Sequence, residues 1–202
     1  KNMGCEIHYA SNFNNPIYTF DKNELLAEGI ILHQIDIEKS PVSIKNIHAI
    51  KQVKNIIDKN KIDIVHCHNP MGGVCARIAA RFSRVRPYVI YTAHGFHFYK
   101  GAPLKNWILY YTAERFLARW TNHIITINHE DYERAKSFTM PELGLVDQIH
   151  SVGVDENRFH VYEHNDLRTD LNIADDTFVL VTAAELNDNK NQKIVIEALS
   201  EL

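Results

Sequence analysis

The sequence predicts an α/β protein with a mostly parallel sheet and helices on both faces. Two observations carry this. From residue 5 to about 152, short apolar, β-branched runs alternate with longer segments of helical periodicity, the pattern of βαβ units. Several of those runs end abruptly in loops bearing His or Gly, as at Ala93-His94-Gly95, where open α/β sheets place ligand-facing groups. After Gly153-Val154-Asp155 the chain turns polar and acidic, then resumes with one more apolar run and one more helix. The expected division is therefore residues 1–160 as one domain, and 161–202 as a linker plus the first βα unit of a second.

In order, Cys5–Ala10 reads as a strand, and 11–16 as a turn rich in Asn with Pro16. Asn23–Glu28 is a short helix stopped by Gly29, and Ile30–Ile37 alternates as a strand. Ser40-Pro41 opens a helix to about Lys59, with Ile44, Ile47, Ile50, Val53 and Ile57 as its apolar stripe. A strand at 62–67, a loop at 68–73 and a helix at 74–82 follow; Ala76, Ala79 and Ala80 suit that helix to close packing. Tyr88–Ala93 is a strand whose β-branched core predicts burial on both faces. Pro103–Trp120 is a helix, apolar nearly all round and read mainly as a core helix. Its aromatic and basic edge, with Lys105, Arg115 and Arg119, also fits contact with a membrane surface or a lipid-borne substrate. Asn122–Asn128 is a strand, and 129–138 a helix with Glu130, Asp131 and Glu133 suiting its dipole. A loop at 140–148 leads to a short strand at 149–152; Phe178–Ala184 is a further buried strand, and Lys190–Leu202 a helix.

At 202 residues, 45% hydrophobic and 23% charged, the chain can bury a sizeable core. A net charge of −3 provides no global basic field, so nucleic acid is not an expected partner. The odd number of cysteines, Cys5, Cys67 and Cys75, lacks framework spacing and points to a reducing compartment, hence a cytoplasmic location. No apolar run approaches the ~18 residues of a membrane span. Lys1-Asn2-Met3-Gly4 reads as the tail of a helix, so a first strand and first loop are expected to lie outside this chain.

The chemistry-bearing residues gather at two strand ends. His94 and His97 stand among Phe96, Phe98 and Tyr99, and His66-Cys67-His68-Asn69 precedes Pro70-Met71-Gly72-Gly73. Two readings stand for the imidazoles: hydrogen-bonded structural groups, or ligand-facing groups of a site. His-x-His also occurs in metal-dependent hydrolases, but no carboxylate is near in either loop, so no metal is expected. The glycines before a helix N-terminus let backbone approach a ligand and favour an anion, although strand–helix turns often hold glycine for geometry only. Lys190, at the start of the last helix, could hold a phosphate or be a solvated surface residue.

Taken in order, HCHNPMGG, YTAHGFHFYKG, ERFLARW with IITINHEDYERAK, SVGVDENRF and AAELNDNKNQ resemble the bacterial family 4 glycosyltransferases. The branch most similar builds capsular, exopolysaccharide and O-antigen repeat units. The resemblance implies two Rossmann-like domains facing across a cleft (the GT-B fold). It also implies transfer of a sugar, with retention of configuration and no catalytic metal or cofactor, from a nucleotide-diphosphate sugar, UDP-linked, to a lipid-linked saccharide at the inner face of the cytoplasmic membrane. In this light His94 matches the family histidine near the reacting centre. Asn69, Gly72, Gly73, Gly95, His97, Asp155 and Lys190 become substrate-binding candidates, with Lys190 on the donor diphosphate. Ala184-Glu185 stand where many members have Gly-Arg. The family's C-terminal carboxylate pair falls beyond residue 202, so the chain alone is not expected to catalyse. A His-x-His hydrolase and a non-catalytic sugar-nucleotide-binding protein remain the alternatives.

Overall fold

The computed structural model describes residues 4–14, 21–150, 153, 157, 167–188 and 190–201. It divides into two compact units, Lys1–Gly153 and Val154–Leu202.

The first unit is α/β, with parallel sheets flanked by helices. Strand β1 (His8–Ser11) pairs in parallel with β2 (Ile31–Gln34). Helix α1 (Lys22–Ala27) connects them; the Asp21 carboxylate caps it by accepting from the Asn23 N–H at 2.8 Å. The second sheet has the order β3 (Ile64–His68), β4 (Tyr88–Ala93), β5 (His123–Thr126), β6 (Leu145–Gln148), all parallel. Between them run α2 (Lys45–Asn60), α3 (Pro70–Phe82), a helical segment from Leu104 to Trp120, and α6 (His129–Lys136). That segment contains α4 (Leu104–Asn106), a π-helical stretch (Trp107–Tyr111), α5 (Thr112–Leu117) and a 3₁₀ turn (Ala118–Trp120).

The period of two along each strand sorts the sheet's faces. Cys67, Tyr91, Ala93 and Ile124 share one core with Ala76, Phe96, Phe98, Ala118, Ala135 and Phe138. Val89 joins a second core with Ile35, Val53, Ile57, Ala79 and Ala80. The alternate residues Ile90 and His123 are half-buried, and Ile64 and His66 are exposed. On β4 the face of Val89, Tyr91 and Ala93 is buried, while on the other face Thr92 is buried, Ile90 half-buried and Tyr88 exposed, so the expected burial on both faces holds only in part.

Four further expectations need correction. Helix α2 starts at Lys45, not Ser40, and it buries Asn46, Ala49, Val53 and Ile57 while Ile44 and Ile47 face solvent. The cause is Asn46, whose amide accepts from the Glu38 N–H at 2.9 Å and donates to the Ser40 carbonyl at 2.8 Å. This ties residues 38–43 into a turn and sets the helix's rotation. Helix α3 starts at Pro70 rather than Val74, because Asn69 makes the whole turn (φ 63°) and proline's fixed φ begins the helix at once. The sixth strand is Leu145–Gln148, earlier than expected, since Leu145 N–H pairs with the Asn122 carbonyl and Ile149 N–H with that of Thr126. The long helix is not a core helix all round: Glu114, Leu117 and Ala118 are buried, but Leu104, Ile108, Leu109 and Phe116 are exposed.

The second unit contains α7 (Leu167–Asp170) and α8 (Gln192–Leu199). The expected strand at 178–184 is not formed; no ladder partner lies among the described residues, and Phe178 and Val181 are exposed. A parallel strand exists only through its neighbours' hydrogen bonds. The Arg168 guanidinium instead gathers the preceding turn, donating to the carbonyls of Ala174 (3.0 Å) and Thr177 (3.3 Å).

Candidate functional site

A cavity of about 410 Å³ opens where β1 and β3 end, at the carboxyl edge at which α/β sheets receive ligands. Ser11, Asn12, His66, His68, Asn69 and Gly72 supply its polar and backbone surface, over a floor that includes Ile35, Val53, Ile57 and Val65. Its volume is in the usual range for small-molecule sites, roughly 300–1,000 Å³.

Register brings the histidines together. His66 and His68 share one face of β3, and His68 lies opposite Thr92 of β4. Two residues on, with Ala93 ending the strand, His94 falls beside His68: Nδ1 of His68 and Nε2 of His94 are 3.1 Å apart. The His66 and His68 rings lie 4.3 Å apart, and His66 Nε2 is 2.8 Å from Thr92 Oγ1. Burial holds His68 below the ordinary histidine pKa, and its neighbours His66 and His94 push the same way. His66 is lowered by burial, then by His123 and His94. Which of the two facing nitrogens donates depends on the ring tautomers. Gly95 then turns the chain away at φ 136°, a conformation other residues rarely adopt.

The loop after His94 is anchored from below. Phe96 and Phe98 are buried and stack at 4.7 Å, and Phe98 meets Trp107 and Tyr111. The Phe96 N–H donates to Asp131 Oδ2 at 3.0 Å, and the Lys100 N–H to Glu130 Oε1 at 2.8 Å. The acids read as suiting the dipole of α6 thus also hold this loop. His97 is exposed, with its ring 4.8 Å from Tyr110 and its carbonyl accepting from Asn106 Nδ2 at 2.9 Å; it does not line the cavity.

The two glycines of α3 differ. Gly72 lines the cavity, and a Cβ there would meet nothing within 4 Å. Gly73 is buried, and a Cβ there would lie 2.6 Å from Tyr91 Cε2, so packing requires this glycine. Beneath it, Arg77 donates through Nε to the Gly73 carbonyl (2.9 Å) and through Nη1 to Glu114 (2.8 Å). Asp155 lies outside the described residues. Lys190, in the second unit, is exposed in the turn before α8, where its N–H donates to Asn187. Among the described residues, no group of three or more His, Cys, Asp or Glu is arranged to hold a metal ion.

Sequence reasoning placed His94 at a strand end but did not single out His68 as its partner, or Asp131 as the loop's anchor. The signal for His68 was present: His-x-His puts both rings on one face. The pairing register that brings His94 beside it was not.

The family described as "Glycosyl transferase 4-like" matches residues 1–128. EpsD of Bacillus subtilis (strain 168), named as a glycosyltransferase, is 46% identical over 202 residues, covering 98% of this chain and 50% of that protein. The UDP-Gal:alpha-D-GlcNAc-diphosphoundecaprenol alpha-1,3-galactosyltransferase of Escherichia coli is 32% identical over 169 residues, covering 78% of this chain and 42% of that protein. The chain spans about half the length, or somewhat less, of these curated relatives. With the family matched across strands β1 to β5, and the identity to EpsD running nearly end to end, the chain belongs to the family 4 glycosyltransferases.

Proposed function

We propose that this chain is the acceptor-side part of a retaining glycosyltransferase, together with the start of its donor-side domain. The enzyme moves a sugar from a UDP-linked donor to a lipid-linked saccharide in bacterial surface polysaccharide synthesis. It works in the cytoplasm, with peripheral contact to the inner membrane. The observation that carries this reading is His94, held by His68 beside a cavity at the strand ends of a chain of this family. The Escherichia coli relative, whose name specifies a UDP-sugar and a diphosphoundecaprenol acceptor, supports the substrate classes.

In this reading the departing nucleotide diphosphate gathers negative charge that cationic groups and amides must meet. Lys190 supplies one ammonium; Glu185 cannot pair with a diphosphate and leaves that task to other groups. His94, oriented through His68, positions the sugar by hydrogen bonding and steadies charge developing at its anomeric carbon. Asn69 and Gly72, which line the cavity at the start of α3, hold the acceptor. Gly95 gives the backbone room, and His97 and Asp155 are kept as substrate-binding candidates on the family resemblance alone.

The test is transfer of labelled sugar from a panel of nucleotide sugars to a lipid-linked acceptor by the full-length protein. Wild type labels the lipid, and His94→Ala lowers kcat by about 10²–10³ with little change in KM, the loss typical for one preorganised polar contact. A silent panel would favour the non-catalytic reading. Wild-type kcat in the mutant returns His94 to a structural role.

A further inference from the structure

We infer that the outward side of the Leu104–Trp120 segment, continued onto the end of α3, is a docking surface for a bilayer containing anionic phospholipid. Along the segment, Leu104, Ile108 and Phe116 are 74%, 66% and 51% exposed. The exposed charges beside them, Lys105, Arg115 and Arg119, are all positive, while the segment's carboxylate, Glu114, is buried against Arg77. The face does not stop at the helix. Phe82 of α3 is 62% exposed, with its ring 6.0 Å from Trp120, and Trp120 meets Phe116 edge-on at 4.8 Å. Arg81 stands 6.0 Å over the Trp120 ring and Arg119 6.0 Å over Phe116. Beside Trp120 lies a cavity of about 640 Å³ whose lining includes Arg81, Arg86, Arg119 and Tyr88 and no acidic residue.

Among the described residues, none of Arg81, Arg86, Arg115, Arg119 or Lys105 has a carboxylate partner. On a chain whose net charge is −3, this is a local segregation of cations around exposed aliphatic and aromatic side chains. Arg and Lys among Leu, Ile, Phe and Trp form the composition of an interfacial helix: the apolar side chains enter the headgroup boundary, and the cations meet anionic lipid. The same cations weigh against a second copy of this chain, since a two-fold contact would set like charges against each other. The inference specifies the surface behind the membrane contact proposed for the enzyme and rests on that contact for its biological sense. Its test, however, uses neither sugar donor nor acceptor.

The experiment is co-sedimentation of the 202-residue chain with vesicles of phosphatidylcholine plus phosphatidylglycerol, and of phosphatidylcholine alone. Binding is expected to the mixed vesicles, to fall with added salt, and to be weak on phosphatidylcholine. At about fivefold per arginine, Arg115→Gln with Arg119→Gln lowers the partition coefficient by roughly 25-fold. Ile108→Ser with Phe116→Ser lowers it as well, and Lys51→Gln with Lys59→Gln, on α2, leaves it unchanged. All these positions are exposed, so thermal midpoints should not move. Should the arginine pair fail to fold, Arg81→Gln with Lys105→Gln makes the same comparison. The proposal is overturned by absence of binding to mixed vesicles, by an equal loss in the α2 control, or by a dimer that dissociates on Phe116→Ser. A chain that binds vesicles while the full-length protein transfers no sugar keeps this proposal and overturns the transferase reading; the reverse result does the opposite.

Discussion

Replacing Glu114 by leucine should unfold the first unit far more readily than any surface change. The carboxylate accepts from Arg77 Nη1 at 2.8 Å and from the Tyr91 hydroxyl at 3.1 Å. Arg77 is fully buried, with its guanidinium 4.1 Å from the Tyr91 ring centroid, and Nη2 has no hydrogen-bond partner among the described residues. Burial pulls the Arg77 pKa down, but the charge and hydrogen bond of Glu114 raise it above its ordinary value, so the cation persists inside the protein. Burial, and then the Glu114 charge, push the Tyr91 pKa well up, so its hydroxyl remains a donor. Without Glu114 the buried cation keeps, among the described residues, one hydrogen bond, to the Gly73 carbonyl, and no counter-charge. Breaking one side of such a pair costs about 3–5 kcal/mol, a large part of a typical stability of roughly 5–15 kcal/mol. Arg77→Met with Glu114→Leu removes both charges and should cost less than Glu114→Leu alone, giving a coupling of about 2 kcal/mol or more. Urea unfolding followed by circular dichroism measures all three variants. A cost below about 1 kcal/mol for the single change, or simple additivity in the double, would refute an uncompensated buried charge as the mechanism.

The glycines of α3 offer an internally controlled pair. Gly73→Ala drives a methyl into Tyr91, which Arg77 and Glu114 hold in place, and should cost about 1–3 kcal/mol. Gly72→Ala meets nothing and should be neutral or stabilise by up to about 1 kcal/mol; equal melting temperatures for the two variants would dismiss the packing argument. A pH series tests the histidines. The folded pKa values of His33, His66 and His68 lie below the ordinary 6.5. Below pH 6.5 the unfolded chain therefore binds protons that the folded chain resists, and stability present above 6.5 is lost as pH falls toward the folded values. The lowered carboxylates Asp36, Glu38 and Asp58 act only nearer their ordinary values of 3.8, 4.5 and 3.8. Urea midpoints should therefore fall between pH 6.5 and 5.5, and fall less in His66→Asn with His68→Asn; the same slope in both proteins would contradict this.

Local chemistry was enough for much of the fold. The β-branched runs of β3, β4 and β5, the Gly29 stop of α1, and the acid-rich start of α6 can each be read from a few neighbouring residues, because chain stiffness and helix-end chemistry act at that range. His94 was legible in the same way, as a polar residue just past a buried strand. Features that depend on distant partners were not. The rotation of α2 hangs on Asn46 reaching back to Glu38 and Ser40, and β6 begins where hydrogen bonds to β5 allow it. Residues 178–184 have strand composition, yet form no ladder among the described residues. Gly73 resembles a ligand-approach glycine until Tyr91, a strand away, is found to fill the space, and His68 becomes the partner of His94 only once β3 and β4 settle into register. A side chain's alternation along its own strand is intrinsic to the backbone, whereas what it touches depends on a pairing made between segments some 25 residues apart.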